Sequence, residues 1–264
     1  MTKPPHLRLI GDVHGEYAAY KKLLPDTRYS IQLGDMGFNY AGIASVNPDH
    51  HKFLPGNHEG YHKEYQEGVL STEVATNPHY EIVGEQVYRF TRLPPNLIGH
   101  YGVWKVPEYQ PSKLSGDIFF IRGASSIDRR YRTFGVDWFH EEQLSFNQFN
   151  DAIQLYEDTK PDFVISHDCP EMWLPDLINH DWGHMEHTMT NAGLQRMWDA
   201  HEPRLWVFAH HHRTWHQRRG NTLFICLNIL IHVKIKFINH LGKNIPTLVG
   251  FQGSCCGFLR RCTK

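Results

Sequence analysis

The sequence predicts an α/β fold, and three observations predict it. Short apolar runs recur along the chain, helical stretches lie between them, and each run stops at a cluster of polar residues. The runs cover residues 7–10, 29–33, 52–54, 162–165 and 205–208. Runs this short, bounded by turn residues, read as buried strands. Residues 16–24 form an amphipathic stretch with Tyr17, Tyr20, Leu23 and Leu24 on one side, and 141–156 and 190–200 have helical spacing. Strands alternating with helices point to crossover units. Residues 80–122 alternate β-like runs with Pro and Gly and read as further strands, in a second sheet.

Composition narrows the class. The 264 residues are 41% hydrophobic and 21% charged, enough for one domain or two with a large core and no disulfide framework. The net charge of -1 gives no global field for nucleic acid or membrane. The opening residues hold no long apolar run, so no secretory leader is expected. The most apolar stretch, 222–235, is interrupted by Asn228, His232 and Lys234, short of the about 18 continuous apolar residues of a membrane span. Five cysteines without paired spacing fit a reducing cytoplasm. Two features stand out: 20 histidines, and a chain that has no acid after Glu202.

The polar clusters carry the chemistry. Ligands of open α/β sheets bind beyond the carboxyl ends of strands, so five clusters that each follow a strand are expected at one edge. They supply Asp12, His14, Asp35, Asn57, His58, His167, His210 and His212. This mixture of oxygen and imidazole donors suits Zn, Fe or Mn and lacks the thiolates of a structural zinc site. Asp12 and His14 are two apart, as are His210 and His212, so in extended backbone each pair points to one side and His211 to the other. Seven ligand positions exceed one ion. They suit two ions with Asp35 as the bridge, the arrangement that clamps attacking and leaving oxygens of a phosphoryl displacement.

Asp-x-His, Gly-Asp, Gly-Asn-His-Glu, a lone His after a strand and a final x-His-x-His, in this order over residues 7 to about 228, resemble the calcineurin-like metallophosphoesterase superfamily. Residues 121–142 also resemble a segment of small bacterial and phage members. The resemblance implies a four-layer α/β/β/α sandwich with two mixed sheets over residues 1–228. It implies that Asp12, His14, Asp35 and His212 hold one divalent ion, and Asp35, Asn57, His167 and His210 the other, with Mn, Fe or Zn as the metal. His58 is implied as general acid or transition-state stabiliser, Glu59 and Asp168 as groups that orient imidazoles, and a hydroxide held by the ions as nucleophile. Two positions depart from the pattern: Ala209 stands for the usual Gly, and Phe38-Asn39 where one branch has a phosphate-binding Arg. Arg129, Arg130 and Arg132 form a basic cluster whose forks suit substrate phosphate.

The expected activity is hydrolysis of a phosphate monoester on a protein, nucleotide or small molecule. A phosphodiesterase or nuclease is the alternative, and a non-catalytic scaffold is a third reading that the complete ligand set opposes. Trp138 and Trp182 are candidates for a substrate cleft, His184 and His187 for an extension of the site, and Cys255, Cys256 and Cys262 lack a fourth partner for a metal knuckle. The basic, acid-free segment 229–264 has three readings: an arm for nucleic acid, an Ile-rich strand packed on the sheet, or an altered reading frame replacing a core strand. The abrupt change after Asn228 favours the third.

Overall fold

The computed structural model describes residues 6–25, 27–37, 40–59, 63–65, 80–83, 86–90, 94–106, 117–134, 138–178, 187–240 and 243–252. Phe38, Asn39, Trp182, His184, Cys255, Cys256 and Cys262 lie outside them. The elements in chain order are β1 (Leu7–Ile10), α1 (Tyr17–Lys22), β2 (Tyr29–Gln32), β3 (His51–Phe53), β4 (Lys63–Tyr65), β5 (Tyr80–Val83) and β6 (Gln86–Phe90). Then come β7 (Tyr101–Lys105), β8 (Asp117–Ile121), α2 (Phe146–Thr159), β9 (Phe163–Ser166), α3 (Leu174–Leu177) and α4 (Met189–Ala200). The chain continues through β10 (Leu205–Phe208), β11 (Trp215–Arg219), β12 (Thr222–Cys226), β13 (His232–His240) and β14 (Lys243–Gln252).

Two mixed sheets carry the fold. The first has five strands in the order β14-β13-β1-β2-β3, and the second has six in the order β11-β12-β10-β9-β8-β7. In the first, β1, β2 and β3 are parallel while β13 and β14 pair antiparallel; in the second, β12, β10, β9 and β8 are parallel and both edges, β11 and β7, are antiparallel. The parallel strands read as near-continuous apolar runs because both of their faces are covered. Leu7, Leu9 and Ile31 of the first sheet pack against Phe120, Ile165 and Val207 of the second. The outer face of the second sheet presents Phe119, Val164, Trp206 and Phe224 to Phe149 and Ile153 of α2 and Leu194 of α4. On the outer face of the first sheet, Ile10 and Phe53 meet Tyr20 from α1 and Ile43. The result is the expected four-layer α/β/β/α sandwich. Among the described residues no helix is long and apolar enough to cross a membrane.

Helix ends follow local chemistry. The periodicity that begins at residue 141 does not start a helix there. Residues His140–Glu142 form a single 3-10 turn, and α2 starts after Ser145. The Ser145 hydroxyl accepts from Gln148 N at 3.3 Å while Gln148 Oε1 accepts from Ser145 N at 2.9 Å, a reciprocal cap that fixes the start. α4 is capped likewise, with Thr188 Oγ1 accepting from Asn191 N at 3.1 Å.

Two regions depart from the sequence reading. The run expected to extend a second sheet over 80–122 divides. β7 and β8 join the six-stranded sheet, while β4, β6 and β5 form a separate three-stranded one. The stretch after residue 228 enters the first sheet: β13 pairs antiparallel with β1, Leu9 opposite Val233, and β14 pairs with β13. Val233 and Ile235 are fully buried between the sheets.

His51, on β3, sits opposite Ser30 of β2 and lies 3.0 Å from its hydroxyl through Nδ1. Burial, then the charges of His50 and Arg8, push its pKa from an ordinary 6.5 down to about 4. A histidine depressed in the folded state stabilises it above pH 6.5 and loses that contribution as pH falls toward 4. His51→Gln is therefore expected to flatten the fall of melting temperature between those pH values. A slope equal to that of the unmodified protein refutes the assignment.

Candidate metal centre

The five polar clusters meet at one sheet edge because each follows the carboxyl end of a parallel strand. Asp12 and His14 follow β1, Asp35 follows β2, Asn57 and His58 follow β3, His167 follows β9, and His210 and His212 follow β10. Backbone bonds stitch these loops together: Val13 N and His14 N donate to Asp35 O at 3.0 and 2.8 Å, and Ala209 N to His167 O at 3.0 Å. The loops are not extended. His14, Asp35, His210 and His212 adopt φ of 47°, 57°, 65° and 49°. Each such left-handed turn costs about 1–3 kcal/mol for a residue with a side chain. Four of these turns at one edge are what aims the donors inward. The two-residue spacing therefore works through tight turns, not through the extended backbone expected from sequence.

Two donor groups result, and Asp35 belongs to both: Asp12, His14, Asp35 and His212 form one, and Asp35, His167 and His210 the other. In the first, His14 Nε2 and His212 Nε2 face each other at 2.9 Å, His212 Nε2 lies 3.1 Å from Asp12 Oδ2, and His14 Nε2 3.7 Å from Asp35 Oδ2. In the second, His167 Nε2 lies 3.2 Å from Asp35 Oδ1 and 3.1 Å from Asn57 Oδ1. His167 Nδ1 donates to Leu33 O at 2.7 Å, which leaves Nε2 as the inward atom. Imidazole nitrogens and carboxylate oxygens that converge in this way suit a cation. The buried Nδ1 of His210 has no hydrogen-bond partner among the described residues, a cost of about 1–3 kcal/mol that a metal bond removes. The residues fit a divalent metal.

Glycine makes the close approach possible. A Cβ on Gly56 would lie 2.3 Å from Asp35 Oδ1 and 2.6 Å from His167 Nε2. Gly34, at φ 108°, would place one 2.1 Å from His167 Nδ1. Gly56→Ala is expected to displace Asp35 or His167, destabilise the fold by about 1–3 kcal/mol, and lower bound metal. Equal metal content and melting temperature in Gly56→Ala and the unmodified protein would sink this reading.

The partners of the remaining predicted residues differ from expectation in part. His58 stands at the cavity, its backbone N donating to Asp35 Oδ1 at 2.7 Å. Glu59 does not orient an imidazole in its hydrogen bonds. Its buried carboxylate accepts from Met36 N, Gly56 N and Tyr40 Oη at 2.9, 3.1 and 2.8 Å, so it clamps the loops after β2 and β3. Asp168 does meet an imidazole, that of His211 at 3.0 Å, which belongs to neither of these two donor groups. Of the three arginines only Arg132 reaches the site. Its guanidinium binds Asp128 through Nε at 2.6 Å and Nη2 at 2.9 Å and lies 2.8 Å from His58 Nε2. Arg129 and Arg130 are exposed and do not line the cavity. Trp138 and His187 are not among its lining residues either.

Sequence reasoning missed a support beneath Asn57. Asn57 Nδ2 donates to Ser126 Oγ at 3.1 Å, and Ser126 Oγ donates in turn to Glu142 Oε2 at 2.7 Å. This fixes the Asn57 amide with its oxygen toward His167. Neither residue has a spacing signal; both fall in the segment 121–142 that carries the bacterial and phage resemblance.

Electrostatics follow from burial and pairing. Burial opposes charge on both members of the Asp35–His167 pair, yet their contact overrides it. Asp35 is held far below the carboxylate range, and His167 is raised to about 10. Burial pushes His210 well below its ordinary value, so it is a neutral donor. Burial and then the Asp35 charge raise Glu59 to about 8. His58 is lowered by burial, raised by Asp35, and lowered again by Arg132, with a net fall. A cavity of about 560 Å³ lies over the donors, with Arg132, Asp128 and Ile127 on one wall and Ile178 and Arg213 among the others.

Paired carboxylate–imidazole donors at the strand ends of an α/β/β/α sandwich form a candidate centre for two divalent ions. The chain belongs to the calcineurin-like phosphoesterase family, whose sequence model matches residues 6–214. No curated protein matches the sequence. Among solved structures, a Staphylococcus aureus protein named as a candidate 5′-nucleotidase is 12% identical with a TM-score of 0.43 over 94% of this chain and 53% of its own. This chain thus spans about half of that protein. GAP50, the anchor in the inner membrane complex of Plasmodium, is 11% identical with a TM-score of 0.45 over 94% of this chain and 90% of its own. Vacuolar protein sorting 29 of Cryptosporidium parvum is 10% identical with a TM-score of 0.33 over 93% and 96%.

Proposed function

We propose that the protein is a phosphomonoesterase that uses two divalent ions, manganese foremost. Asp12, His14, Asp35 and His212 would hold one, and Asp35, Asn57, His167 and His210 the other. Bound there, the ions supply a water of lowered pKa and positive charge for the phosphoryl oxygens. The observation that carries this reading is Asp35, which belongs to both donor groups. The chain's own residues orient the ester. Arg132, steadied by Asp128, offers its fork to terminal phosphate oxygens, and such a fork favours the dianionic group of a monoester over a diester. His58 stands beside it, its Nε2 accepting from Arg132 Nη2, and would protonate the leaving oxygen once substrate takes over that guanidinium.

The test is hydrolysis of p-nitrophenyl phosphate and bis-p-nitrophenyl phosphate by metal-stripped protein, with Mn, Zn, Fe or Mg returned. Faster turnover of the monoester, highest with Mn, is expected. Faster turnover of the diester would move the protein to the phosphodiesterases. Folded protein that binds two ions and turns over neither ester would leave the scaffold reading.

A further inference from the structure

Three large apolar side chains are exposed within eight residues beside the cavity: Ile127 at 46%, Tyr131 at 77% and Phe134 at 58%. The same stretch holds Arg129, Arg130 and Arg132 against a single acid, Asp128, and that acid is already bound twice by Arg132. Arg130 lies over the Tyr131 ring with its guanidinium carbon 4.7 Å from the centroid. The Phe134 ring sits 5.3 Å from Trp138 and 4.8 Å from His140. Ile127, Asp128 and Arg132 line the cavity, while Arg129, Arg130 and Tyr131 face solvent, so one loop runs from the metal donors to the surface.

Tyr, Phe and Arg are also common at interfaces between folded proteins. What distinguishes this stretch is that its rings and guanidinium groups lead into the cavity over the donors. Flat rings spaced among arginines suit a ligand with both faces and phosphates, because bases stack on aromatic rings whatever their sequence. We propose that residues 127–134 form a stacking platform for single-stranded nucleic acid and present its terminal phosphate to the cavity. Tyr131 stacks a base, and Arg129 and Arg130 bind backbone phosphates. The last step rests on the phosphomonoesterase reading; binding to the platform does not. This assignment also differs from a nucleic-acid arm at the basic C-terminal segment, whose residues 253–264 lie outside the described ones.

The experiment titrates the full metal-loaded chain into a 3′-labelled oligodeoxythymidylate bearing a 5′-phosphate, read by fluorescence anisotropy at several salt concentrations. Tyr131→Ala is expected to weaken binding about fivefold or more, as a lost base stack does, and Tyr131→Phe to restore it. Arg129→Ala and Arg130→Ala are each expected to flatten the salt dependence by about 0.7 in logarithmic slope. Melting curves of these exposed variants guard against misfolding. The proposal falls if the strand does not bind, if Tyr131→Ala binds as well as the unmodified chain, or if a phosphotyrosine peptide binds more tightly through Tyr131. Hydrolysis of p-nitrophenyl phosphate by the unmodified chain separates the two readings. Strand binding without ester hydrolysis overturns the phosphomonoesterase and keeps the platform, whereas hydrolysis without strand binding overturns the platform alone.

Discussion

Replacing Asp35 with Asn is expected to bring bound metal below one ion per chain and to abolish measurable phosphate-ester hydrolysis. Asp35 is fully buried, and its two oxygens face different donor groups: Oδ1 lies 3.2 Å from His167 Nε2, Oδ2 3.7 Å from His14 Nε2. An amide there offers one oxygen and no charge, so at least one group loses its anionic ligand. The metal-free fold should suffer less. Removing one partner of a buried ion pair costs about 3–5 kcal/mol when the other must stay charged. His167 need not stay charged, because Asp35 is what holds its pKa up at about 10, and burial drives it down once that carboxylate is gone. The same pair sets how metal binds. His167 would hold a metal only as a neutral ring, so binding would expel its proton. Metal affinity of the unmodified chain should therefore rise with pH up to about 10, with a proton released into weakly buffered solution. In Asp35→Asn that release should vanish. Elemental analysis after desalting, with calorimetry in two buffers, checks both points. Two ions retained by the variant would show that neither donor group needs the Asp35 carboxylate.

The donor positions were legible because their strands are buried on both faces. A parallel strand such as β10 must be apolar at every position, so Leu205 to Phe208 end abruptly where His210 begins. The same physics hid the rest. Left-handed backbone at His14 or His212 leaves no mark on sequence, because the turn is imposed by bonds from distant loops such as Val13 N to Asp35 O. His211 stands between two donors in sequence, yet its ring turns to Asp168. Arg129, Arg130 and Arg132 look equivalent as a cluster, and only the i,i+4 pairing with Asp128 selects Arg132 for the cavity. The segment after residue 228 reads as foreign because it lacks acids. Its Val233 and Ile235 nonetheless alternate with Lys234 and Lys236, the period-two pattern of a strand with one face buried, and that pattern outweighs composition. Ser126 and Glu142 support Asn57 through a contact, Asn57 to Ser126, between residues 69 apart that no local pattern announces.

His58→Ala is expected to lower turnover by about 10²–10⁴-fold, the range for loss of a positioned proton donor, with two ions still bound. The ring belongs to neither donor group, and the contact that ties this loop to the centre is made by its backbone N to Asp35 Oδ1, which the substitution keeps. Leaving-group dependence then separates proton donation from simple charge. p-Nitrophenolate leaves without help, so its ester should lose least, while an alkyl phosphate, whose alkoxide needs a proton, should lose most. Equal losses on both esters would make His58 an electrostatic group. Arg132 provides an independent check. Its charge is one of the influences that lower the His58 pKa, so removing it raises that pKa. A proton donor with a raised pKa stays protonated to higher pH. The alkaline limb of the pH–rate profile should therefore move up in Arg132→Ala, alongside any rise in KM from the lost phosphate contact. A limb that moves down, or stays in place while KM rises, would show that His58 does not supply the proton.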